Sequence, residues 1–408
     1  MTKAPIASAP VYSGLSPSEP AAEDAVTVTV LLVDAFTTEV GRGNRAGVVL
    51  DAEGLSAEQM QAVAAYVNVS ETAFVLPPAQ GGSRGGPQAG GAAGIVAAIT
   101  DAGRARGGVG PDAADMLVRF FTPVMEVPVC GHATIATHYA LAKLFSVREA
   151  NVAMDTGAGR LPVLIGTDGR GEPEITMTLG EPQIGTVLDE TDRAALAAAL
   201  GIRLGDLRDD LPVQYVSTGS QVVILPLREA ACLHSMRPDF AALAALAPRL
   251  SCAMLYVFVF AGGRKALRDG VPESGADPAG SGFLIDGRMF CPAEGIDEDP
   301  VTGTASGPAG IYLAAHGVFD ARRGPDDGAV GDDTISFTAR QGYAMGRPGL
   351  VEVTVYRFGG MPVAVQIAGK AVMAGSMRLR VTRGVTRCAT RCVTRCAAGG
   401  AATVTEEA

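Results

Sequence analysis

Apolar residues first gather at 26–36, VTVTVLLVDAF, a β-branched run that predicts a strand. A loop over 41–47 leads to a short strand at 48–50. Ser56 then opens a helix, with Gln59 three residues on as a capping-box partner. Met60, Val63, Ala64 and Val67 recur at helical spacing and give that helix one buried face. A strand at 73–76 begins directly after Ser70-Glu71-Thr72. Further strands are predicted at 117–122, 161–165, 175–179, 213–216, 222–225 and 255–261, with a helix near 192–200. Two stretches, 133–145 and 305–316, are apolar on nearly every side and predict helices buried all round.

Between these elements the pattern lapses. Residues 1–25 are rich in Ala, Pro and Ser and predict a disordered extension. Residues 79–114 are Gly/Ala-rich without periodicity and predict a flexible insert, and 269–282 a second Gly/Pro-rich loop. From 379 a low-complexity tail is expected, carrying the four-residue repeat VTRG VTRC ATRC VTRC. Its cysteines lack the close C-x-x-C pairs of common zinc or iron–sulfur sites.

Composition narrows the class. The chain has 408 residues, 48% of them hydrophobic, enough for two or three domains with large cores. A net charge of −10 disfavours nucleic acid, which needs a basic surface. No apolar run reaches the length of a membrane span and no signal-peptide pattern opens the chain, so a cytoplasmic protein that does not bind membranes is expected. The cysteines then read as free thiols.

An internal duplication changes the picture most. Arg119-Phe-Phe-Thr-Pro, followed by Pro128-Val-Cys-Gly-His-Ala-Thr, matches Arg288-Met-Phe-Cys-Pro, followed by Pro300-Val-Thr-Gly-Thr-Ala-Ser. Each copy predicts strand, loop, Pro-Val, glycine turn and buried helix. Helix starts at Gly131-His132 and Gly303-Thr304 would present unpaired N–H groups and partial positive charge. Facing one cleft, they would receive a carboxylate or a developing enolate.

At this point the residues resemble a known family, the phenazine-biosynthesis (PhzF-like) isomerases of the diaminopimelate-epimerase fold. The resemblance rests on Val33-Asp-Ala-Phe-Thr37 with Gly43-Asn44; Asn68-Val-Ser-Glu71-Thr-Ala-Phe-Val75; Phe121-Thr-Pro123 with Gly131-His-Ala-Thr134; Glu298-Asp-Pro-Val-Thr-Gly-Thr-Ala305; and Gln341-Gly342 with Met345-Gly-Arg-Pro348. It spans about residues 28–378. It implies an α/β (α+β) fold of two pseudo-symmetric halves, 26–170 and 171–378, each a curved mixed sheet around a central buried helix. It also implies a homodimer, no metal or organic cofactor, and proton transfer between carbons of a small carboxylate-bearing metabolite, as in its namesake's dihydro-hydroxyanthranilate substrate. Catalytic roles are implied for Glu71, His132 and Asp299, and substrate contacts for Asn44, Cys130, Gly131, Gly303 and Thr304.

Each residue also has a plainer reading. Glu71 could be a solvated strand end, His132 a core histidine and Asp299 a turn former. Cys130 is either a small buried hydrophobe or a thiol activated by a helix start. Asn44 and Arg45 either bind substrate or shape a turn. The chain departs from the family in carrying Arg45 where proline is usual. Cys130 stands where related racemases keep a catalytic cysteine, and Thr302 occupies the matching place in the second half. A racemase using Cys130 and a non-catalytic binder of the same fold are therefore the alternatives. A dinucleotide-binding loop at Gly41-Arg42-Gly43 is rejected, because the chain continues as a strand and not a helix.

Overall fold

The computed structural model of the chain describes residues 25–78, 94, 95, 97, 99, 114–262, 283–319, 333–382 and 402–406. The pattern of strand pairing is the same twice over. In the first half Ala25–Ala35 pairs antiparallel with Asn44–Val49, which runs parallel to Glu71–Leu76. That strand is antiparallel to Met116–Phe121, whose other edge pairs with Glu126–Val127 at one end and runs parallel to Ala150–Thr156 at the other. Gly159–Thr167 and Pro173–Thr178 complete the set, so the strands of the first half run past the boundary expected at 170. In the second half Gln214–Ser217, Gln221–Pro226, Met254–Gly262, Leu284–Cys291, Ile296–Asp299, Asp333–Gln341, Gly349–Phe358 and Met361–Gly369 repeat each of these relations in order.

The halves join where Pro173–Thr178 lies antiparallel to Met361–Gly369. Each half also lends the other a strand. Gln183–Val187 follows the first half and pairs with Gln214–Ser217 of the second. Ala371–Thr382 follows the second half and lies along the whole of Ala25–Ala35.

The central helices are Gly131–Phe145 and Gly303–Ala315. Gly131 through Ala142 are all buried, as are most of residues 303–314. Burial all round is eased because most polar atoms of the first helix bond to its own backbone. Thr134 and Thr137 hydroxyls donate to the carbonyls of Cys130 and Ala133, both at 2.7 Å, and His138 Nδ1 lies 2.9 Å from Thr134 O. Both helices share one core with the inner faces of both sheets, including Phe120, Ile135, Phe337 and Ile367. The outer face of the first sheet is covered by Ala57–Val67, whose start carries the expected capping box between Ser56 and Gln59. Helices Glu190–Leu200 and Phe240–Leu250 cover the outer face of the second.

Two expectations need correction. In the 79–114 insert, Gly94, Ile95, Ala97 and Ile99 are helical, and Ile95 and Ile99 are buried in the main core. An i, i+4 apolar pair is too sparse to register against Gly and Ala. The remainder, up to 113, lies outside the described residues. The tail expected from 379 is still strand: Leu379 and Val381 are fully buried, and Thr403–Glu406 pairs with residues 379–382. Met377, Leu379 and Val381 continue the period-two pattern past the proposed boundary. Most of the repeat, the segment 1–24 and the loop 269–282 lie outside the described residues.

Candidate active site

The duplicated segments carry the same local bracing. Arg119 makes a bidentate pair with Glu126, 2.7 Å on each branch, and stacks 5.1 Å from the Phe121 ring. Arg288 does the same with Glu298, at 2.9 and 2.8 Å, and stacks 5.0 Å from Phe290. These forks fix the strands that lead into each helix start. The starts themselves, Cys130 and Thr302, supply no side-chain cap, so the first amides of both helices lack an internal partner.

The two starts meet. A Cβ at Gly131 would stand 3.3 Å from Thr304 Cγ2 and 3.4 Å from the Thr304 amide nitrogen. They border one cavity of about 360 Å³, lined by Glu71, Cys130, Gly131, His132, Asp299, Thr302, Gly303 and Thr304 among others. Seven of the eight residues expected at the site from sequence therefore line a single space. Asn44 does not. It is wholly buried, and its amide nitrogen faces Asp299 Oδ1 at 2.8 Å, Val301 O at 3.0 Å and His132 Nδ1 at 3.0 Å. Its place is as a clamp behind the wall, joining the two halves.

That clamp sets the histidine tautomer. Because Asn44 donates to Nδ1, the ring hydrogen is assigned to Nε2, which lies 3.2 Å from Glu71 Oε2. The contact is not aligned as a hydrogen bond, and Oε2 is left buried without a hydrogen-bond partner. Burial, with the neighbouring Arg347, pushes His132 down to about 3, so the ring is neutral. Burial is also the main cause that lifts the Glu71 carboxyl to about 8, followed by the charge of Asp299. Asp299 is lifted by burial to about 6, against the opposing hydrogen bonds from Thr302 and Asn44. Burial, then the charge of Glu71, drives the Cys130 thiol well above its usual range.

Sequence reasoning missed the second ring of the site. Gln341 donates from Nε2 to Asp299 O at 2.7 Å and to Thr302 Oγ1 at 3.1 Å, while its Oε1 accepts from the Thr302 amide at 3.2 Å. The Thr302 hydroxyl donates to Asp299 Oδ2. Cys252, Cys291 and Glu294 also line the cavity. The Cys291-Pro292 step, which mirrors Thr122-Pro123, was the available signal. Glu71, Cys130 and His132 offer ligand atoms within 4.8 Å of one another, a trio that could hold an ion. The hydrogen bond from Asn44 occupies the free lone pair of His132 and opposes that use.

A family model described as a phenazine biosynthesis-like protein (PhzC-PhzF) matches residues 33–376. The chain belongs to this PhzF family. It is 36% identical over 342 residues to an uncharacterized isomerase of Clostridium acetobutylicum, covering 84% of this chain and 94% of the relative. It is 29% identical over 286 residues to the trans-2,3-dihydro-3-hydroxyanthranilate isomerase of Pseudomonas aeruginosa, covering 70% of this chain and 80% of that one. The crystal structure of a Bacillus anthracis phenazine biosynthesis protein of the PhzF family matches with a TM-score of 0.63 at 29% identity, over 86% of this chain and 99% of that chain. Within the PhzF family this chain is an isomerase.

The approach of the helix starts leaves no room at one glycine. A Cβ at Gly303 would stand 2.4 Å from Ile367 Cδ1 and 3.0 Å from Phe36 Cζ. Gly303→Ala is expected to lower stability by about 1–3 kcal/mol through overpacking. Gly131→Ala, whose nearest neighbour would be 3.3 Å away, should cost less. Urea unfolding midpoints of the two variants check the order.

Proposed function

We propose that this chain moves a proton between carbons of a small carboxylate-bearing metabolite, of the unsaturated cyclic amino-acid class, with Glu71 as the shuttle. The observation that carries the reading is one carboxyl group, raised toward neutral pH by burial, on the wall of a cavity bordered by two uncapped helix starts. The amides at Gly131-His132 and Gly303-Thr304 receive the substrate carboxylate and the negative charge that develops beside it. The Glu71 carboxylate takes a proton from one carbon. The electron pair shifts along the unsaturated system, and Glu71 returns the proton to a second carbon on the same face. His132, neutral and with Nε2–H toward Glu71, orients that carboxyl and stabilises its anion. Asp299, held by Thr302 and Asn44, faces a substrate nitrogen or oxygen. The Pseudomonas aeruginosa relative, named for a dihydro-hydroxyanthranilate, supports this substrate class. The test is incubation with cyclic dienes and amino acids in heavy water. Deuterium at one new carbon supports the reading, and product formed with no solvent- or substrate-derived hydrogen transfer removes it.

A racemase using Cys130 is the second reading, favoured by the thiol's place on the wall, 3.3 Å from His132 Nδ1. Against it stand the suppressed thiolate and Thr302, which supplies no second thiol. Cys130→Ser is expected to keep most of the turnover. A loss as deep as that of a Glu71 variant would transfer the proton chemistry to sulfur.

A further inference from the structure

We infer that a second concavity, joined to the active site through the Asn44 side chain, binds a small oxyanion, a phosphate or carboxylate group. It has a volume of about 420 Å³ and is lined by Gly41, Arg45, Asn68, Val69, Ser70 and Arg347. Two guanidinium groups meet there over one carboxylate. Arg45 donates from Nε and Nη2 to the two oxygens of Asp34, at 2.7 and 2.8 Å. The Gly41 amide donates to Asp34 Oδ2 at 2.7 Å. Asp34 is fully buried, and these bonds occupy it. Arg347 comes only to 3.8 Å from the same carboxylate, and among the described residues its guanidinium makes no hydrogen bond.

Asp34 is committed to Arg45 and the Gly41 amide, and Asp299 acts on Arg347 only through its charge, without an ion-pair contact, in a chain whose net charge is −10. Arg347 is two-thirds buried, with a side-chain exposure of 32%. A half-desolvated guanidinium with a nearby like charge is a poor resting state, and burial lowers its proton affinity, with Arg45 adding to the effect. An oxyanion between Arg45 and Arg347 relieves both costs and takes the paired N–H donors of a guanidinium fork. The Asn68 side chain borders the same space and can add a donor to its shell. The loop that carries Arg347 is tightly set. Its backbone N–H donates to Gly342 O at 3.0 Å, and Gly342 has a φ of 87°, where a Cβ would fall 2.2 Å from Arg347 O. Ser70 donates to Asn44 Oδ1 at 3.3 Å, and the other end of that amide holds His132 and Asp299. An anion beside Ser70 therefore lies one side chain from the reaction centre.

The experiment is calorimetric titration of inorganic phosphate, and separately of succinate, into the full chain at fixed ionic strength. A selenate soak of crystals locates the bound ion. One site per chain is expected, for at least one of the two anions, with the anomalous peak between Arg45 and Arg347. Arg347→Gln, which leaves the Arg45–Asp34 fork whole, should weaken binding by about tenfold or more. Arg45→Gln should do the same, but it also strands a buried carboxylate, so Arg347→Gln is the deciding variant. The inference is overturned if neither anion binds at millimolar concentration. It is equally overturned if folded Arg347→Gln binds as tightly as the parent, or if the peak lies at the Gly131 and Gly303 helix starts. None of these readouts depends on turnover, so their outcome is separate from that of the Glu71 assignment.

Discussion

Glu71→Gln should lower kcat by about 10²- to 10⁴-fold, the usual contribution of a positioned acid–base group, on any substrate that takes up deuterium with the parent protein. Glutamine keeps the shape of the side chain, so the fold should stay intact. The parent's rate should rise with pH through a midpoint near 8, as the carboxyl that must accept the proton ionises. Asp299→Asn removes the like charge that helps raise Glu71, so that limb should move to lower pH. Stability carries the opposite sign. The folded-state value of about 8 lies above the ordinary 4.5 of a free glutamate. Ionisation is therefore penalised in the fold, with no cost below pH 4.5, a cost that grows between 4.5 and about 8, and a constant one above. Thermal melts at acidic and alkaline pH should show Glu71→Gln matching the parent in acid and exceeding it in base. A variant with near-parental turnover would remove Glu71 from the reaction.

Asn44→Ala should produce the largest loss of stability among alanine substitutions at the site. The amide nitrogen, with two hydrogens to give, lies within 3.0 Å of three buried groups, one from the first half and two from the second. Its removal leaves two of these buried acceptors short of a donor, and each unsatisfied buried group costs about 1–3 kcal/mol. It also removes a hydrogen bond that favours the Asp299 anion, so Asp299 should titrate higher still. Chemical unfolding and a pH–rate profile read the two effects separately. Asn44→Asp would put a carboxylate against Asp299 and should be worse than alanine.

Much of this arrangement could be read from the chain. The two buried helices announced themselves because apolar residues all round have no surface-helix alternative. The duplication located both glycine turns, and the bidentate pairs of Arg119 and Arg288 show why those arginines recur. What stayed hidden depended on distant partners. Asn44 looked like a substrate contact because its bonds run to residues 88, 255 and 257 positions away. Gln341 and Thr302 are joined only by the fold, as are Arg45 and Arg347. The lent strands were also invisible, since alternation at 371–382 says nothing about which sheet it completes. That is why a boundary at 379 cut through a continuous strand.

The exchange of strands limits how the molecule can open. Ala371–Thr382 leaves the second half only to lie along Ala25–Ala35 of the first, and Gln183–Val187 makes the reciprocal crossing. Pulling the lobes apart would strip a full ladder of backbone bonds from each, so a relative motion of the lobes that keeps both ladders is a twist about the Pro173–Thr178 and Met361–Gly369 seam. The same interlock makes neither lobe a self-sufficient folding unit. A chain cut between them would leave a long bare sheet margin on one side, open to pairing with any stray strand.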